Sequence, residues 1–229
     1  MSYKGILLDL DNTIYKYEPA HDIALTSTLT RLCDITGIRY EYVFGCFKQA
    51  RDRVHIQLAE TASSHNRILY FQTLLEILKV KELNLAKDLY EMYWNIFLDH
   101  MQLIEGFMEF LNIIKDKKVC IVTDLTAHIQ YRKMEKLGIW SFCDYFVTSE
   151  EVGKEKPHPM MFMLAINKMD LHYSEVCMIG DSYHKDIEGA SQLGIHSFWL
   201  NMKKENKNIQ SSLITEFNDY EQIKEYFYE

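Results

Sequence analysis

Short apolar runs bounded by turn residues recur at residues 6–10, 119–123, 144–148, 176–180 and 196–200, and the stretches between the last four carry apolar positions at helical spacing. Alternation of this kind predicts an α/β fold, a doubly wound and mainly parallel sheet. Roughly a hundred residues separate the first two runs, far more than a crossover helix requires. That interval reads as helices over 23–36, 41–60, 65–79 and 85–100. In the first, Leu25, Leu29, Leu32 and Ile35 share a face, and Gly37 follows as a natural C-cap. The interval therefore predicts a helical bundle, a cap over 16–102, inserted into a core made of 1–15 and 103–229. Pro19 disfavours a helical Glu18 and marks the entry. Within the 65–79 helix, Ile68, Leu69 and Leu75 are expected to pack, leaving His65, Arg67 and Tyr70 as tips. The run 203–208 (KKENKN) reads as a solvated loop before a last helix.

Composition narrows the function. Of 229 residues 48% are hydrophobic, enough for a substantial core, and 33 Asp and Glu against 25 Lys and Arg give a formal charge of -8. That balance disfavours a nucleic acid polymer or an anionic membrane as partner. The five cysteines form no CxxC and no Cys/His cluster, so neither a zinc site nor a disulfide framework is expected, and a reducing, cytoplasmic setting fits. No signal peptide or membrane span is read, and a monomer or homodimer is expected.

Chemistry concentrates where the predicted strands end. Ligands of an open parallel sheet bind beyond the carboxyl ends of its strands. There the chain places Asp9 and Asp11 (ILLDLDNTI, 6–14), Thr123 and Asp124 (IVTDLT, 121–126), Lys156 (GKEKPHP, 153–159), and Asp181 and Asp186 (MIGDSYHKD, 178–186). The set suits phosphoryl transfer: Asp9 as carboxylate nucleophile, Asp11 as general acid and base, Thr123 and Lys156 holding phosphoryl oxygens. Asp9, Asp181 and Asp186 would repel one another without a cation, and hard oxygen donors point to Mg2+. Gly180 permits a tight turn before Asp181.

These four segments, in this order, resemble the motifs of the haloacid dehalogenase-like (HAD) hydrolase superfamily, and the inserted helices resemble its C1 cap. SEEVGKEKPHPMMF (149–162) with WLN (199–201) is most similar to the branch of YjjG-type nucleotidases and N-acylneuraminate-9-phosphatase. The resemblance implies Asp9 as nucleophile, Asp11 as acid/base and as metal ligand through its backbone carbonyl, Asp181 as direct metal ligand and Asp186 as its partner. It implies a phosphomonoesterase acting on a small soluble phosphate ester, a sugar phosphate or nucleotide, beneath a closing cap. The presence of Asp11 disfavours C-halide and phosphonate chemistry. A phosphomutase, or a phosphate-binding protein without turnover, are the rival readings.

Specificity is expected from the cap, with Arg67 the candidate substrate ligand, and from Asp124, which stands where such relatives often carry Asn. Asp124 has two readings, a ligand for a substrate hydroxyl or amine, or a helix N-cap. Cys120 and Cys177 read as core. His158 and His184 read as loop residues, and Tyr90, Met92, Tyr93, Trp94 and Phe97 as packing between cap helices.

Overall fold

The computed structural model describes residues 3–228. In chain order its main elements are β1 (Gly5–Leu8), α1 (Tyr17–Thr36), α2 (Tyr40–Gln57), α3 (Arg67–Ile77), α4 (Leu85–Asp99), α5 (Phe107–Ile113), β2 (Lys118–Thr123) and α6 (Ala127–Leu137). They continue with β3 (Tyr145–Thr148), α7 (Ser149–Val152), α8 (Pro159–Met169), β4 (Val176–Gly180), β5 (His196–Leu200) and β6 (Ile214–Phe217). The chain forms two compact units, Met1–Lys16 with Leu103–Glu229, and Tyr17–Gln102.

The first unit is built on a six-stranded sheet in the order β3-β2-β1-β4-β5-β6, with every pairing parallel. Both faces are buried, so the strands read as continuous apolar runs instead of alternating ones. Leu7, Cys120, Val122, Val147 and Met178 enter one core with Met161, Phe162, Ala165 and Met169 of α8. Ile6, Leu8, Val119, Ile121 and Ile179, the alternate positions, are equally buried. Leu8 lies opposite both Ile121 and Ile179, so β1, β2 and β4 end at nearly the same height. The sheet grows outward from β1 through β2 to β3, and then from the other side through β4. The crevice between β1 and β4 is therefore the switch point where such sheets bind ligands.

Three differences from the sequence reading have local causes. β6 was unread because, of its four residues, only Phe217 is buried, so an edge strand left almost no pattern. The expected last helix is a 3-10 segment, Tyr220–Tyr226. And Asp144 precedes β3 instead of belonging to it: its carboxylate accepts from Val119 N–H at 2.8 Å.

In the second unit α1 packs on α4, and α3 on both α2 and α4. The helix α1 begins at Tyr17, earlier than expected, because Pro19 falls in its first turn, where a missing N–H costs nothing. Gly37 does close it with φ of 70°. Leu25, Leu29 and Leu32 are buried, but Ile35 is exposed on the last turn. In α3 the expectation holds at Leu75, which is buried, and inverts at its start: Arg67 and Tyr70 are buried, while Ile68 and Leu69 are only partly so. Tyr93, Trp94 and Phe97 are buried within the unit. Among the described residues no helix is long and apolar enough to cross a membrane.

Candidate active site

Asp9 and Asp11 follow β1 directly, and Asn12 between Asp11 and Thr13 takes the left-handed conformation, φ 62°, which Asn tolerates better than most residues. The turn brings Thr13 Oγ1 back to donate to Asp9 Oδ2 at 2.9 Å while accepting from Asp181 N–H at 3.0 Å. Asp9 N–H donates to Ile179 O at 3.0 Å. Tyr220 Oη, fully buried, donates to Thr13 O at 2.8 Å, and Trp199 Nε1 donates to Asp181 O at 2.9 Å. One hydroxyl thus ties the end of β1 to the end of β4.

Lys156 reaches the same point from the far side. Its ammonium lies 2.5 Å from Asp9 Oδ1 and 2.7 Å from Asp186 Oδ1, and it donates to Val122 O at 2.9 Å. Asp186 sits in a π-type turn, Tyr183–Glu188, and its other oxygen accepts from Ser182 N–H at 3.0 Å. Its carboxyl packs against Gly180 so closely that a Cβ there would lie 2.5 Å from it. Glycine is required at 180 by that approach, a stronger reason than the tight turn read from sequence.

Charge in this cluster is far from balanced. Oxygens of Asp9, Asp181 and Asp186 lie within 4.8 Å of one another, with Lys156 the cation among them. Burial, followed by the charges of Asp186 and Asp11, lifts the Asp9 carboxyl to about 7 despite Lys156. Burial and the Asp9 and Asp186 charges lift Asp181 to about 8. Asp186 is also raised, by burial. Its Oδ1 is buried without an aligned hydrogen bond, its charge met only by the Lys156 ammonium. Three hard oxygen donors crowded together, two with carboxyls raised to about 7 and about 8 and one with an oxygen lacking a hydrogen bond, fit a divalent cation.

Asp11 behaves oppositely. It is half-buried, which alone would raise its pKa, yet Lys133 at 2.6 Å, Tyr15 Oη and Gln130 Nε2 at 3.3 Å all donate to its carboxylate and hold it below its ordinary value. Gln130 also donates to Thr123 Oγ1 at 2.5 Å and Asp124 O at 2.6 Å. Lys133 and Gln130 are fully buried on one face of α6. Sequence reasoning missed them both, although a lysine and a glutamine at i, i+3 on a face otherwise formed by Ile129 and Met134 were a readable signal.

Asp124 is not a helix cap: Thr126 occupies that position in α6. Its carboxylate accepts from Lys156 N–H at 3.0 Å and pairs with Lys185 at 2.8 Å, and Lys185 in turn reaches Glu155 at 3.2 Å. The unread Lys185 thereby joins the loops that carry Asp124 and Lys156. His158 caps α8, its Nδ1 accepting from Met160 N–H at 3.3 Å, and His184 is exposed beside Glu188. Cys120 and Cys177 are buried, their thiols pushed up by burial. Arg67 lies in the helical unit, where it donates to Tyr17 Oη and His65 O.

The family model of haloacid dehalogenase-like hydrolases matches residues 3–194. A ribulose-1,5-bisphosphate 5-phosphatase of Halopiger xanaduensis is 34% identical over 213 residues, 91% of this chain and 89% of its own. A glyceraldehyde 3-phosphate phosphatase of Methanocaldococcus jannaschii is 26% identical, over 95% of this chain and 91% of its own. Among solved structures, the HAD-hydrolase YfnB from Bacillus subtilis, bound to magnesium, superposes with a TM-score of 0.74 at 20% identity over 99% of both chains.

Proposed function

Because this chain belongs to the haloacid dehalogenase-like hydrolase family, we propose that it is a phosphatase that hydrolyses a phosphomonoester of a small metabolite through a phosphoaspartyl intermediate on Asp9. Sugar phosphates are the favoured class, since the two curated relatives described above are named for such substrates. Mg2+ would be held by Asp9, Asp181 and Asp186 with the backbone carbonyl of Asp11. When bound it supplies positive charge against the substrate dianion. The cysteines, all free, suit a cytoplasmic enzyme.

An oxygen of the Asp9 carboxylate attacks phosphorus and the ester P–O bond breaks. Thr123 and Lys156 hold the phosphoryl oxygens as charge shifts. The leaving alkoxide takes a proton through Asp11, lent by the Lys133 ammonium 2.6 Å away. Water then attacks the phosphoaspartate, its proton passes back through Asp11 to Lys133, and Asp9 is released as carboxylate. The Asp11–Lys133 pair begins and ends with the same proton.

The observation that carries this reading is the contrast between two carboxylates two residues apart. Asp9 faces other carboxylates and one lysine, while Asp11 is held ionised by its own lysine. Such a split assigns separate roles. The test is release of inorganic phosphate from a panel of sugar phosphates, nucleotides and small phosphorylated acids with Mg2+, by wild type beside Asp9→Asn. Phosphate release lost in the variant, with one 18O from solvent water in the phosphate released by wild type and none in its Asp9 carboxylate under single turnover, is the expected result. Equal turnover by the variant refutes the mechanism. Transfer back to substrate without phosphate release would make the protein a mutase.

A further inference from the structure

Helix α6 carries a fully buried glutamine that touches three parts of the site and takes no part in the chemistry assigned above. Gln130 Nε2 lies 2.5 Å from Thr123 Oγ1, 2.6 Å from Asp124 O and 3.3 Å from Asp11 Oδ2. The Asp124 carbonyl can only accept, and so can the Asp11 carboxylate, which is paired with Lys133 at 2.6 Å. The amide must therefore turn its nitrogen to all three. An amide nitrogen donates and does not accept. Thr123 Oγ1 is thus the acceptor of its bond with Gln130, and its own proton has to point elsewhere.

Among the described residues the acceptor that proton finds is Asp124 O, at a long 3.3 Å. Gln130 already engages that carbonyl at 2.6 Å. The amide therefore acts on Thr123 twice: it fills a lone pair of the hydroxyl oxygen and occupies the carbonyl that competes for the hydroxyl hydrogen. Holding it so has a cost, because Gln130 Oε1 is buried with no hydrogen-bond partner among the described residues. A methionine or leucine would fill the same space without that cost, so packing does not account for an amide at this position.

We propose that Gln130 is a positioning residue that sets the polarity of the Thr123 hydroxyl, keeping it a donor toward a phosphoryl oxygen. This rests on the phosphatase reading above, in which Thr123 holds that oxygen.

The test is a double-mutant cycle read by equilibrium binding, to which no leaving group or acid/base step contributes. The Kd of inorganic phosphate in Mg2+ is measured by calorimetry for wild type, Thr123→Val, Gln130→Met and the double variant, with melting curves confirming that each is folded. Thr123→Val should weaken phosphate about tenfold or more, the loss of one hydrogen bond to a charged group. In the Gln130→Met background the same substitution should change Kd less than about twofold, because the hydroxyl has turned to the vacated Asp124 carbonyl. Thr123→Val costing the same in both backgrounds is what a merely structural glutamine gives, and it overturns the proposal. So does a Gln130→Met chain that binds phosphate like wild type. If Gln130→Met does not fold, Gln130→Glu, of equal size, carries the same test: an acceptor there draws the Thr123 proton to itself, and Thr123→Val should again change little. If wild type binds no phosphate, the phosphatase reading falls and takes the proposal with it; phosphate bound without coupling between the two positions removes the proposal alone.

Discussion

Removing the charge of Asp9 should stabilise the metal-free protein, and only above mildly acidic pH. The carboxyl, 5% exposed, has its pKa raised from 3.8 to about 7 by burial and by Asp186 and Asp11, against the pull of Lys156. The folded state therefore binds a proton that the unfolded chain has already lost between those two values, and stability contributed by Asp9 falls as pH rises through that window. The rise corresponds to about 4 kcal/mol above pH 7 and only about 1–2 kcal/mol near pH 5, against a typical total of about 5–15 kcal/mol. Asp9→Asn keeps the volume, and Asp186 remains at 2.7 Å to pair with Lys156. Urea denaturation in EDTA should show the variant more stable than wild type near pH 8, with the gap narrowing toward pH 5. Added Mg2+ should reverse the order by stabilising wild type more. A variant less stable than wild type at pH 8 in EDTA, or a difference that does not change with pH, would refute the assignment of Asp9 as an electrostatically penalised carboxylate.

Three further outcomes follow from the same geometry. Mg2+ binding at neutral pH should expel one to two protons, because Asp9 and Asp181 titrate at about 7 and about 8 without metal; calorimetry in buffers of different ionisation enthalpy reads this directly, and affinity should tighten as pH rises. Lys133→Met leaves Asp11 beside a buried methyl group where an ammonium stood at 2.6 Å; a loss of about 3–5 kcal/mol in denaturant stability is expected, recovered in part by adding Asp11→Asn, with turnover lost in both chains. Asp124→Asn should lower kcat across a phosphate-ester panel without reordering it, since both its oxygens serve Lys156 N–H and Lys185; a reordered panel would restore Asp124 as a ligand for substrate.

Much of this was legible in the sequence because the sheet's strands are buried on both faces. Leu7 and Leu8, or Cys120 and Ile121, are apolar in succession, and a polar residue at the end of such a run stands out. That is how Asp9, Thr123 and Asp181 could be read. Lys133 and Gln130 gave a weaker cue, a shared helix face with Ile129 and Met134, because polar residues on a helix are ordinarily solvated, and Lys185, partly exposed in the π-type turn, gave none. Gly180 is legible only for its turn, because its contact with Asp186 depends on a π-type turn that no local pattern announces. β6 escaped as an edge strand with a single buried side chain. In the helical unit, amphipathic spacing located the helices but misassigned the faces of α3, where a guanidinium is enclosed by aromatic rings that a polarity rule would send to solvent.

The point at which the long insertion leaves the sheet unit is itself closed by backbone pairing. Ile104 N–H donates to Ile14 O at 2.9 Å, and Tyr15 bridges Leu103 in antiparallel fashion. As far as the sheet is concerned, all of Tyr17–Gln102 is the tip of a hairpin whose base is already shut. Exchanging what lies beyond that base alters neither the strand register nor the distance the chain must span, and extra length there carries only a slowly growing closure entropy. The fold is thereby a socket: a different segment can be fitted between the same two positions while Asp9, Asp11 and Asp181 keep their places at the ends of β1 and β4.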